Sequence, residues 1–247
     1  MTRLFAAELL KLRTLRSTWG FGLVALLFAG LVTAGHIGGT TEASRFDPEF
    51  QFQIVLDGAF PASVLALLMG MILVTNEFRH GTIARTLLAT PRRGRFVAVK
   101  LLAGAAAGAS LMLITLVVIA SIAVIWLGIL DVPLALGEAA DGVWRALLVA
   151  TLAGIVGAAI GGAVQSQVGA LVGTLVWMLV LEPICWVLLG LLDWDGVAKY
   201  LPAASLGGAV DSTAEGSSWA RSVAVAAAWA GVAAVLAVLR TSRRDVT

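Results

Sequence analysis

The side chain best placed to do chemistry is Glu182, a carboxylate set in the apolar stretch VWMLVLEPICWVLL. If that stretch crosses a membrane, a charged carboxylate within it costs about 2.5–3.5 kcal/mol, so it marks a candidate translocation-path residue. Pro183, which follows it, removes a backbone hydrogen bond and kinks a helix. Two roles stay open for Glu182: a protonated group bonding a carbonyl freed by that kink, or a group that serves substrate passage. The other reactive residues are sparse. Cys185 is the single cysteine, so it forms no disulfide within the chain. His36 and His80 lie far apart, and with one cysteine they compose no structural zinc set; no metal site is expected.

The elements that position these residues follow from composition. The 247 residues are 60% hydrophobic and 13% charged, with a mean hydropathy of +0.96. A water-soluble domain of this size needs more polar surface to cover its core. An all-α membrane protein with six transmembrane helices is expected. A span needs about 20 apolar residues to cross about 30 Å of hydrocarbon. Six stretches qualify, near residues 19–37, 59–75, 101–130, 143–164, 168–192 and 219–239. The third exceeds the need and should tilt or project. None shows the alternation of a membrane barrel. On this numbering Glu182 lies roughly 21 Å along the fifth span at 1.5 Å per residue.

Charge placement sets direction. Thirteen of the 17 Lys and Arg fall in the N-terminal segment, in the connection between spans two and three, and at the C-terminus. Those regions are expected on the cytoplasmic side, with both termini inside. The opposite side holds Arg45, Arg145, Lys199 and Arg221 among many carboxylates. Trp126, Trp144, Trp194 and Trp219 fall at the outer boundaries and Trp19 at the inner one, as an aromatic belt requires. A cleaved leader is disfavoured, because the basic lead is long and basic residues recur at every second connection.

Small residues supply the packing surfaces. Gly157 and Gly161 form a G-x-x-x-G element that Gly154, Ala158 and Gly162 extend. Gly104 and Gly108 offer the same on span three, and Gly169 and Gly173 on span five. Such stripes let helix backbones approach where lipid gives no hydrophobic drive. They serve either the bundle itself or a subunit interface.

The connection from Asn76 to Lys100 is the most informative segment. Glu77 and Arg79 end span two, and Gly81 permits a sharp turn. Thr82 is a fair N-cap for a short helix bearing Ile83, Ala84, Leu87 and Leu88, with Arg85 between them. Pro91 stops that helix, and Arg92, Arg93 and Arg95 follow at the bilayer surface. A short amphipathic helix there can rest on lipid or dock into a groove on a soluble partner. Residues 1–17 form a second amphipathic, interfacial helix, in which Glu8 intrudes on the apolar side and can pair with Lys11.

These features together resemble the membrane subunits of type-2 ABC exporters. The matching elements are Glu8-x-x-Lys11 on an N-terminal amphipathic helix, six spans, and E-x-R-x-G-T (Glu77, Arg79, Gly81, Thr82). A Leu pair (Leu87, Leu88), Pro91, basic residues and Lys100 complete the pattern. The resemblance implies that residues 82–89 within the 77–95 segment are a coupling helix docking on an ATP-hydrolysing subunit. Glu77, Arg79, Gly81, Thr82, Arg85, Leu87 and Leu88 would carry the coupling. It implies a second permease copy, in a homodimer or close heterodimer, two copies of the ATPase, and a substrate path between the permeases. It also implies short external helices within residues 193–218 that cap the path, although a solvated loop fits that segment as well.

No G-x-x-x-x-G-K-[ST] phosphate loop is present, and none of the three lysines follows a glycine. ATP and magnesium are therefore expected on the partner, with no cofactor on this chain, which is not an enzyme by itself. No nucleic-acid partner is expected; lipid is. The Ala- and Arg-rich, Lys-poor composition suggests a high-GC bacterial gene, hence a bacterial inner membrane. A proton-coupled secondary transporter using Glu182 predicts matching helix breaks in both halves, and span two shows no counterpart to Pro183. A membrane hydrolase lacks a cluster of Glu and His. A non-transporting membrane partner of an ATPase is the remaining alternative. Nothing in the residues names a substrate.

Overall fold

The computed structural model describes residues 2–14, 16–83, 93–210 and 219–242. Helix α1 is Thr2–Thr14 and α2 is Arg16–Gly39. A 3-10 turn at Ala43–Phe46 leads to α3, Pro48–Arg79. Helix α4 is Arg93–Ile129 and α5 is Leu136–Val164. The next span is built from α6 (Gln167–Val176), a π turn (Trp177–Leu181) and α7 (Glu182–Leu191). Two short helices follow, α8 (Asp195–Ala198) and α9 (Pro202–Val210), before α10 (Trp219–Ser242). No strand occurs among the described residues. Among the described residues, six helices are long and apolar enough to cross a membrane, which supports a multi-pass membrane protein.

The helices overrun the apolar stretches that announce them. α3 starts at Pro48 rather than near residue 59, because Asp47 caps it and Pro48 presets the first helical residue. The Asp47 carboxylate accepts the Glu49 N–H at 3.0 Å. α4 is 37 residues long, roughly 55 Å at 1.5 Å per residue, so it outreaches about 30 Å of hydrocarbon.

α3 is the axis of the bundle. Its most apolar window is 67% buried, against 6% for the α6–α7 span. α3, α4 and α5 meet backbone to backbone. A Cβ added at Gly70 or Gly104 would strike the carbonyl oxygen of Gly154; one at Gly108 would strike that of Ala150. Gly157 and Gly161 press on the carbonyls of Leu67 and Met71. The stripe of α5 and the pair on α4 are thus spent inside the chain rather than on a subunit interface. Gly162 faces Ala237 of α10. Gly173 has no neighbour a Cβ would reach.

Polar groups tie the helix ends. The Gln51 side chain donates to the Pro133 carbonyl and accepts from the Ala135 N–H, both at 2.7 Å, clamping the α4–α5 connection onto α3. His36 Nδ1 lies 2.8 Å from Asp57 Oδ2, joining α2 to α3. At the opposite end of the bundle, Arg79 donates to Gln167 Oε1 at 3.1 Å. Arg240 donates there to the Ala163 carbonyl at 2.6 Å and caps α5. The beginning of α1 to α2 and the end of α10 therefore share one end of the bundle, as an even number of crossings requires.

Candidate functional site

Four charged side chains converge at that basic end. Glu8 and Lys11 come from α1, Glu77 from the last turn of α3, and Lys100 from the first turns of α4. The i,i+3 spacing of Glu8 and Lys11 puts both on one face of α1, with Lys11 Nζ 2.7 Å from Glu8 Oε1. Lys100 Nζ is 2.8 Å from Glu8 Oε2 and 2.6 Å from Glu77 Oε1. Lys11 Nζ reaches the same Glu77 oxygen at 2.6 Å. The formal charges cancel, two against two.

Burial decides how much this matters. The Lys100, Glu8 and Glu77 side chains are 3%, 5% and 6% exposed, while that of Lys11 is 42% exposed. Buried charges persist only when paired and hydrogen-bonded. Lys100 also lies 5.6 Å from the Phe96 ring centroid. Burial alone would lower the Lys11 pKa, but the hydrogen bonds it donates to Glu77 and Glu8, with their charges, outweigh it and hold the group above its ordinary value. Glu77 Oε2 is buried with no hydrogen-bond partner among the described residues.

This cluster corrects the sequence reading in one respect. Lys100, expected in the connection ahead of span three, lies buried within α4, because that helix starts at Arg93. It likewise explains Glu8, whose intrusion on the apolar side of α1 is the contact with Lys100.

The connection beyond Glu77 begins with an ordered turn. Gly81 has φ 64°, the left-handed region, and the Thr82 N–H donates to the Glu77 carbonyl at 3.1 Å. Ile83 is buried against Phe96, Val97 and Ala237. Arg85, Leu87 and Leu88 lie outside the described residues, as does most of the 82–89 segment. Of the expected coupling residues, Glu77 thus joins the charged cluster, Arg79 bonds α6, and Gly81 and Thr82 form the turn.

Glu182 stands elsewhere, towards the other end of the molecule. In the α6–α7 span, only Glu182 and Ala170 are buried. The π turn aligns residues five apart, so Trp177 Nε1 donates to Glu182 Oε2 at 2.7 Å. Ala203 N–H donates to Oε2 at 3.0 Å and Ala204 N–H to Oε1 at 2.6 Å. Those are free donors in the first turn of α9, whose Pro202 needs none. Glu182 therefore caps α9 at a sequence separation of 21 residues, and among the described residues it bonds no carbonyl freed by Pro183. A carboxylate at a helix N-terminus also meets the favourable end of its dipole. Pro183 is exposed, following the π turn. Spacing gave no sign of this cap; Pro202 at a helix start was the available signal.

The chain matches no protein-family model and no curated protein sequence.

Proposed function

We propose that this chain is the membrane permease subunit of an ATP-driven exporter of the type-2 ABC kind. It works as a dimer with a second permease copy and with two copies of a separate ATPase that carries ATP and magnesium. The basic end of the bundle faces the cytoplasm of a bacterial cell, with both termini there. The observation that carries the reading is the buried union of Glu8, Lys11, Glu77 and Lys100. It fastens an amphipathic N-terminal helix to the two helices on either side of residues 84–92. A partner pushing on that connection would move α1, α3 and α4 together. In this reading residues 82–89 dock on the ATPase, with Arg85, Leu87 and Leu88 at the contact. Glu182 and Pro183 shape the outer part of the span rather than carry cargo.

Co-expression with a candidate ATPase tests the proposal. The complex should co-purify, and the permease should stimulate ATP hydrolysis. Arg79→Ala, Thr82→Ala and Leu87→Ala should weaken both. Intact association and stimulation in all three variants would overturn the coupling assignment.

A further inference from the structure

α6 and α10 both lean on neighbouring helices yet barely touch each other. Between them lies a cavity of about 360 Å³ with α5 as its back wall and α9 above it. Small residues make the room: Gly173 on α6, and Ala226 and Ala233 on α10. Trp177, Trp229 and Leu206 supply the larger surfaces. The two indoles are bound at their polar edges, Trp177 to Glu182 at 2.7 Å and Trp229 to the Tyr200 carbonyl at 3.0 Å. Only their apolar faces are left for the cavity. At its lips Val232 and Leu236 are 53% and 51% exposed.

We infer that this cavity is a binding site for one hydrocarbon chain of a bilayer lipid, entering sideways between α6 and α10. Four considerations select that occupant. An apolar cavity stays dry and takes apolar guests, so water does not fill it. A void of this size, left empty, forfeits the dispersion contacts of its whole lining. A helix with its side chains is about 10–12 Å across, too thick to lie beneath the α9 roof in a space of this volume, whereas a single chain fits. Its walls belong to helices that qualify as membrane spans, so lipid is the neighbouring solvent. The inference is independent of the exporter reading and holds for any function of the bundle.

The test uses the full chain in vesicles of phosphatidylethanolamine and phosphatidylglycerol doped with a diazirine-tailed phosphatidylethanolamine. The protein is moved to detergent before illumination, so that loosely held lipid is lost, and labelled residues are mapped by mass spectrometry. Label should remain on Gly173, Trp177, Trp229 or Ala233 and be lost from Val117 and Ile125, exposed on α4. Gly173→Leu and Ala233→Phe should each abolish the retained label. Gly173→Leu meets no neighbouring atom at its Cβ, so it keeps the test open if Ala233→Phe fails to fold. Native mass spectrometry of the unmodified protein should show one retained lipid. Equal labelling of cavity and α4 sites overturns the inference, as does label that persists in folded variants. Cross-links between cavity residues of two copies would overturn it too.

Discussion

Lys100 Nζ lies 2.6 Å from Glu77 Oε1, joining the first turns of α4 to the last turn of α3 with both side chains almost wholly buried. Removing one member of a buried pair leaves an uncompensated charge, at a cost of about 3–5 kcal/mol. Lys100→Met should lower stability by that order in detergent. Lys11→Met should cost about 1 kcal/mol or less, because the Lys11 side chain is 42% exposed. Urea or thermal unfolding of the two variants checks the ranking. Equal losses would show that burial does not govern the cluster.

The same cluster sets a dependence on pH. Lys11 is raised above the ordinary lysine value of 10.5 in the folded chain. A raised base contributes stability that is fully present below its unfolded pKa and lost as pH climbs through the folded value. The stability gap between the parent chain and Lys11→Met should stay constant from neutral pH upward and shrink only above 10.5. Unfolding midpoints measured across that range check it; a gap that closes already near neutrality contradicts it.

Glu182→Gln tests the distant cap. Its three N–H donors need acceptors, and an amide offers one oxygen and an NH₂ that opposes a backbone donor. Leaving a buried donor unmet costs about 1–3 kcal/mol. Amide exchange at Ala203 and Ala204 should quicken in the variant while the α3 interior stays protected. Unchanged exchange would show that α9 is held by packing alone.

Glycine contacts give a fourth outcome. Gly157→Leu drives a side chain into the Leu67 carbonyl, whereas Gly173→Leu points into open space. Overpacking of a tight contact costs about 1–3 kcal/mol or more. Gly157→Leu should depress yield and melting temperature, and Gly173→Leu should leave both near the parent values. Comparable damage from the two would place Gly173 against a partner.

The spans were legible because lipid demands long apolar runs, and that demand overrides finer signals. Their ends were less so. The first turns of α3 and α4 carry Glu49, Gln51, Arg93, Arg95 and Lys100, which hydropathy excludes from a span although helix continues through them. The burial of Lys100 has no local signal because its partners are distant in sequence: Glu8 is 92 residues away and Glu77 is 23. The Gln51 clamp and the Glu182 cap were hidden for the same reason, each being a contact between elements with no local spacing. The glycine stripe was visible, but its partner helices were not, since spacing describes one helix face and not what covers it.

The backbone contacts of α3, α4 and α5 divide the molecule mechanically. Three helices locked carbonyl to glycine behave as a stiff slab. The α6–α7 span is a panel hung beside it, attached at one edge through Gln165, whose φ of 59° ends α5, and Ser166, which caps α6. Regions with few buried contacts open at the lowest free energy. Rearrangement in this chain should therefore take the form of the panel swinging on the Gln165–Ser166 pivot, with the α9 latch at Glu182 setting how far the other edge can travel.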